Sequence, residues 1–215
     1  MKINIYIEGG GEGKDLHIAL RRAFQKFFIS AGFKGKLPRV YRCGSRNDAL
    51  RDFCTALSQA SPHEFPMLLV DSEDPVTPGL PPWHHLKNRD GWSVPDQATN
   101  DHVHLMTQCM ETWFLADPDA LARYYDPGFH ANALPKQKNI EDLSKVTIMK
   151  CLNAATETTK TKGRYHKGRH SFDILERIDP TLVQTLSPWA CRFLRILDEK
   201  IGGQSTRGCP EPHFR

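Results

Sequence analysis

Short apolar runs alternate with amphipathic stretches along the N-terminal half of the chain. Runs with the composition of strands lie at 2–7, 38–41, 66–70 and 101–106. Apolar residues at helical spacing follow the first run over residues 13–31 and the second over 45–57. This β-α-β-α-β order predicts an α/β fold, Rossmann-like, with a mainly parallel sheet flanked by helices.

The remainder of the chain reads differently. Residues 75–100 are rich in proline and show no periodicity, which predicts an ordered loop insertion. Apolar spacing predicts a helix over 108–117 and further helices over 141–156, 171–178 and 188–201. We therefore expect an α/β domain over residues 1–126 and a helical C-terminal extension over residues 127–215.

Two of the predicted strands end in carboxylates. Glu8 ends the first strand and precedes three glycines, and Asp71, Glu73 and Asp74 end the third. The carboxyl ends of parallel strands share one edge of the sheet, where ligands of open α/β sheets bind. Because clustered carboxylates raise one another's pKa unless a cation neutralises them, the pattern predicts a Mg²⁺ or Mn²⁺ site. The alternative for Glu8 is an ordinary solvated turn.

Basic residues concentrate between residues 160 and 170, although the net charge of the chain is only +4. Cationic side chains ahead of a helix predict phosphate binding, and a solvated surface loop is the alternative. Arg46, at the start of the second helix, is a weaker candidate of the same kind. The predicted nucleic-acid-binding residues are Arg46, Lys162, Arg164, Lys167 and Arg169.

Two segments resemble a known group of proteins. The sequence IEGGGE at residues 7–12, with the later acidic strand end, resembles TOPRIM domains and more narrowly the OLD-family and RloB-like TOPRIM proteins. The segment QCMETWFLAD at residues 108–117 resembles a motif of RloB-like proteins. The resemblance adds Glu12 and Glu111 to Glu8, Asp71 and Glu73 as catalytic carboxylates. The acidic motif here is D-x-E rather than D-x-D, so whether Glu73 or Asp74 is the metal ligand stays open.

The resemblance also implies a function. TOPRIM nucleases of this kind cleave phosphodiester bonds with Mg²⁺, and relatives in bacterial anti-phage defence act beside an ABC/AAA-type ATPase. We therefore expect a metal-dependent nuclease acting on DNA or RNA, including tRNA, with such an ATPase partner and a possible homo-oligomer. The alternative is a non-catalytic sensor or scaffold subunit that docks on the ATPase.

Composition narrows the remaining classes of protein. The six cysteines form no C-x-x-C pair, so the sequence encodes neither a zinc ribbon nor a thioredoxin-like redox site. No apolar run approaches the roughly 20 residues of a membrane span, and the chain begins without a signal-like leader. We expect a cytoplasmic protein that does not bind membranes.

Overall fold

The computed structural model describes residues 1–9 and 13–203, and within them four parallel strands form one sheet. The strand order is β2-β1-β3-β4. This arrangement confirms the predicted α/β, Rossmann-like fold with a parallel sheet. The strands are β1 at Lys2–Glu8, β2 at Arg39–Cys43, β3 at Glu64–Asp71 and β4 at Val103–Met106.

Helices account for most of the remaining described chain. They are α1 at Lys14–Phe28, α2 at Arg46–Ser58, α3 at Pro82–Asp90, α4 at Pro118–Tyr125, α5 at Lys145–Ala155, α6 at Arg169–Leu175, α7 at Pro180–Leu186 and α8 at Pro188–Ile201. A 3₁₀ helix at Met110–Ala116 follows β4, and shorter ones occur at Asn100–His102, Ala131–Ala133 and Ile140–Asp142. No helix in these described residues is long and apolar enough to span a membrane.

Apolar clusters cover both faces of the sheet, since successive side chains along a strand point to opposite faces. Ile5 and Ile7 of β1 pack in one apolar cluster with Phe24 of α1. Leu68 of β3 belongs to a second cluster with Phe53 of α2. All five are buried, and each such burial stabilises the fold by roughly 1.5–3 kcal/mol.

Helices α6 and α8, which the sequence predicted, add apolar side chains to the first of these clusters. Helix α8 packs against β4 and β1, and helix α6 packs against α1. The ring of Phe193 lies 6.0 Å from that of Phe28, edge to face. Side chains from both halves of the chain thus share one hydrophobic cluster.

Three observed helices were not among the predicted ones, and each begins with a proline. Pro82 begins α3 inside residues 75–100, which were predicted to be a loop. Pro118 begins α4 and Pro180 begins α7, each directly after an aspartate whose side chain caps the helix. Proline suits the first helical position, since its missing N–H would have no intrahelical acceptor there.

Two predicted helices also differ in type or in length. The helix expected over 108–117 is a 3₁₀ helix over Met110–Ala116. The helix expected over 141–156 begins at Lys145, because Ser144 caps it and accepts a hydrogen bond from the Thr147 N–H. The 3₁₀ helix places Glu111 in a short, tightly wound segment close to the strand ends.

Candidate metal centre

Three carboxylates meet at the carboxyl edge of the sheet. Glu8 is the last residue of β1, Asp71 is the last residue of β3, and Glu73 lies two residues further on. One oxygen from each of these side chains lies within 4.8 Å of the other two. Carboxylate oxygens are the ligands that Mg²⁺ and Mn²⁺ prefer, so the donor set fits such an ion.

The backbone holds Glu8 and Asp71 in this arrangement. The Asp71 N–H donates a hydrogen bond of 2.9 Å to Glu8 Oε1, which ties the end of β3 to that of β1. The Met110 N–H donates a bond of 2.9 Å to Asp71 Oδ1. One oxygen of each carboxylate is therefore fixed by the main chain.

Glu73 adopts a backbone conformation that is uncommon for a residue with a side chain. Its φ angle is +64°, in the left-handed region, which costs on the order of 1–3 kcal/mol. The conformation is held by a 2.8 Å bond from the Glu73 N–H to the Gln108 carbonyl and a 3.0 Å bond from the Ser72 N–H to the Met106 carbonyl. The Glu73 carboxylate forms an ion pair with Lys145. Such a strained residue is often part of a functional site.

Glu111 adds a fourth carboxylate, fully buried in the 3₁₀ helix. Its Oε1 atom accepts hydrogen bonds from the Tyr165 hydroxyl at 2.8 Å and the Ser171 hydroxyl at 3.2 Å. Its Oε2 atom is buried without a hydrogen-bond partner, and Lys167 Nζ lies 3.9 Å from it. A buried carboxylate oxygen without a hydrogen bond is costly, so a bound cation or ligand group would stabilise it.

The electrostatics of the cluster are consistent with an added cation. Burial raises the pKa of Asp71 well above its ordinary value, and the charges of Glu8 and Glu111 raise it further. Lys167 and Lys145 lower this pKa but do not reverse the shift. A divalent cation would remove the repulsion among these carboxylates.

Arg46 supports the strand ends. Its guanidinium donates to both oxygens of Asp90, at 3.0 and 2.9 Å, and also to the Asp71 carbonyl. It lies 3.4 Å from Glu8 Oε2 and 5.0 Å from the centroid of the Trp92 ring. These contacts direct the guanidinium towards protein groups, whereas the sequence predicted that it binds phosphate.

Asp74 lies apart from the three carboxylates that converge. The Asp74 side chain is 67% exposed and pairs with Arg89 at 3.3 Å, and it does not join the cluster of three ligand atoms. Glu12 lies outside the described residues. Among the described residues, the geometry therefore favours Glu73 over Asp74 as the ligand.

The predicted basic residues of the run at 160–170 have different neighbours in the structure. Lys167 lines a cavity beside the carboxylates. Lys162 Nζ lies 4.9 Å from the centroid of the Tyr124 ring, and Arg164 pairs with Glu157. Arg169 is the first residue of α6.

A cavity of about 550 Å³ opens at the carboxylates. Its polar lining includes Glu8, Asp71, Glu73 and Glu111, and its apolar lining includes Leu16, Leu20, Phe24, Met110 and Phe172. Sequence reasoning missed three side chains that hold the site: Lys145, Tyr165 and Ser171. Tyr165 stood out as an aromatic within the basic run, but nothing local linked it to Glu111.

Comparison with known proteins assigns a family without an activity. No curated protein and no solved structure matches the chain. One family model, described as a domain of unknown function (DUF4276), matches residues 7–198. This region includes the four clustered carboxylates and most of α8. The chain therefore belongs to the DUF4276 family.

Proposed function

We propose that this protein is a Mg²⁺- or Mn²⁺-dependent nuclease that hydrolyses phosphodiester bonds of DNA or RNA. The observation that carries the proposal is the convergence of Glu8, Asp71 and Glu73 within 4.8 Å at the carboxyl edge of a parallel sheet. The buried, unsatisfied Oε2 atom of Glu111 at the same cavity supports it. The resemblance of residues 7–12 to TOPRIM proteins points to the same chemistry.

Each residue has a role that follows from its position. Glu8, Asp71 and Glu73 would hold the metal, which supplies a Lewis acid for the phosphate and lowers the pKa of bound water. The Met110 N–H orients Asp71, and Arg46 keeps the ends of β1 and β3 together.

Two further residues line the same cavity. Lys167 has a side chain that is 59% exposed, so its ammonium can bind a phosphate oxygen from solvent. Glu111 Oε2, which has no hydrogen-bond partner, can bind the ion or accept a proton. Tyr165 and Ser171 fix Glu111 by donating to its other oxygen.

The wider biological setting is proposed from the resemblance alone. By analogy with the related TOPRIM proteins, the nuclease would act in bacterial anti-phage defence with an ABC/AAA-type ATPase. Co-purification of the chain with an ATPase encoded beside it would test this part separately from the chemistry.

The test of the chemistry is metal-dependent cleavage of nucleic acid. Labelled plasmid, single-stranded DNA and total tRNA would be incubated with Mg²⁺ or Mn²⁺ and the wild type, Asp71→Asn or Glu8→Gln. Asp52→Asn is a matched control, since it removes a carboxylate from the exposed face of α2. We expect metal-dependent cleavage by the wild type and by the control, and its loss in both site variants without a fall in thermal stability. No cleavage by the wild type, alone or with an ATPase partner, would favour the sensor or scaffold.

A further inference from the structure

The cavity beside the carboxylates has an apolar wall as well as an acidic one. Leu16, Leu20 and Phe24 follow one another at four-residue intervals on α1 and line the cavity together with Met110 and Phe172. Such a stripe normally closes against a core. Leu20 and Phe24 do so here, whereas the partly buried Leu16 borders a cavity of about 550 Å³, within the roughly 300–1,000 Å³ typical of small-ligand sites.

A phosphodiester group alone does not account for this wall. The phosphate and sugar are polar, and binding them takes cations, backbone N–H groups and a metal. A nucleobase has a flat face that packs against apolar and aromatic side chains. Leu16 and Met110, which are only partly buried, supply apolar surface at the same cavity as Asp71 and Glu73.

We propose that the cavity takes one nucleobase next to the phosphate at the carboxylates, so that the preferred substrate is single-stranded nucleic acid. In a duplex each base is stacked and paired, and entry into the cavity would first require it to leave the stack, at a cost of a few kcal/mol. The identification of that phosphate as the scissile one rests on the proposed nuclease function.

The charges around the cavity suit the rest of such a strand. Lys167 and Gly168 line the cavity, and they belong to the basic run at residues 160–170. Lys162 in the same run lies over the Tyr124 ring. Cations that bind the sugar-phosphate backbone beside an apolar cavity that binds a base form a typical single-strand site.

The experiment measures binding independently of cleavage. Fluorescence anisotropy would give the affinity for a labelled oligonucleotide of about 12 nucleotides. Ca²⁺ would replace Mg²⁺ so that the strand is not consumed. The probes are the single strand, its duplex and single strands carrying an abasic nucleotide in place of each base in turn. We expect the duplex, and the strand that lacks the base seated in the cavity, to bind about tenfold more weakly or worse.

A pair of substitutions on one helix tests the location. Leu16→Trp would fill the cavity from its wall, while Ile18→Trp is the matched control, because Ile18 is 64% exposed and lies outside the cavity lining. We expect Leu16→Trp to weaken single-strand binding about tenfold with Ca²⁺ affinity retained, and Ile18→Trp to leave it unchanged. The abasic strands test the same point on the unaltered protein.

The outcomes separate this inference from the proposed chemistry. Equal affinities for single strand, duplex and every abasic strand would overturn the inference, even if the protein cleaves nucleic acid. Base-dependent binding that is lost in Leu16→Trp would support the inference, even if no cleavage is detected and the nuclease function fails.

Discussion

Replacing Glu111 with glutamine should affect stability and metal binding in opposite directions. The substitution keeps an oxygen that accepts the hydrogen bonds from Tyr165 and Ser171, and it removes the negative charge from the buried Oε2 position. The metal-free protein should then be more stable, because a neutral amide group replaces an unsatisfied buried charged oxygen. Bound metal should stabilise the variant less than it stabilises the wild type, because one carboxylate of the site is gone.

The magnitude follows from two opposing contributions. An unsatisfied buried neutral group costs about 1–3 kcal/mol and a charged one costs more, so the gain is the difference between the two. The contact with Lys167 at 3.9 Å offsets part of this cost. Because that lysine is 59% exposed, solvent screens the attraction to about 1 kcal/mol or less. We expect Glu111→Gln to raise the free energy of unfolding without metal by about 1–2 kcal/mol.

Urea unfolding followed by tryptophan fluorescence, with and without Mn²⁺, measures both effects. At a metal concentration of about 100 times its Kd, the wild type should gain about 2.7 kcal/mol, and Glu111→Gln should gain less. Glu111→Ala is the control for structural damage: the Tyr165 and Ser171 hydroxyls, which lie 2.8 Å apart, can then bond only one to the other, so one of them loses its acceptor. This variant should destabilise the protein by about 2–3 kcal/mol. A metal-free Glu111→Gln protein less stable than the wild type, or one that binds metal equally well, would refute the reasoning.

Three further predictions concern single positions. Burial raises the pKa of Glu141 from 4.5 to about 7, although Ser187 and the Trp189 N–H donate to it, so the native chain keeps a proton that the unfolded chain releases. In urea unfolding, Glu141→Gln should therefore have the same free energy of unfolding as the wild type at about pH 4. The variant should become progressively more stable than the wild type between about pH 4.5 and 7, and it should be more stable by about 3 kcal/mol at about pH 8. Glu73→Gly should be more stable than Glu73→Gln by about 1 kcal/mol in thermal unfolding, since glycine adopts a φ of +64° without strain; equal stabilities would show that the conformation is not strained. Arg46→Lys should lower stability by about 1–3 kcal/mol, since lysine cannot donate to both oxygens of Asp90, and unchanged stability would contradict its supporting role.

The placement of Glu8, Asp71 and Glu73 could be predicted because it depends on short-range information. Apolar runs marked the strands, and the β-α-β order implied a parallel sheet with its carboxyl ends together. The structure then shows that β1 and β3 are neighbours, with Ile7 aligned with Leu69. Adjacent strands bring the two acidic ends into contact.

The partners of these carboxylates could not be predicted in the same way. Lys145 reaches Glu73 across 72 residues, and Tyr165 reaches Glu111 across 54. No spacing in the sequence records such contacts, because they depend on how the C-terminal helices pack against the sheet. Asp74, although next to Glu73 in the chain, lies exposed beside Arg89 of α3.

The sequence analysis missed helices α3, α4 and α7 for a local reason. The proline-rich residues 75–100 were read as a loop and no helix was predicted over 118–125 or 180–186, yet proline occupies the first position of α3, α4 and α7. The aspartates before Pro118 and Pro180 are helix caps, which together with proline form a recognisable start signal. Weighing that pair as one signal would have predicted α4 and α7.

The most direct test of the metal centre is isothermal titration calorimetry of Mn²⁺ into the wild type and Asp71→Asn. Asp71 is the buried member of the three converging carboxylates, and its main-chain bond to Met110 can be kept by the asparagine oxygen. The account predicts saturable binding by the wild type and a loss of about tenfold or more in affinity in the variant, with an unchanged fold by circular dichroism. Equal affinities, or no binding by the wild type, would contradict it.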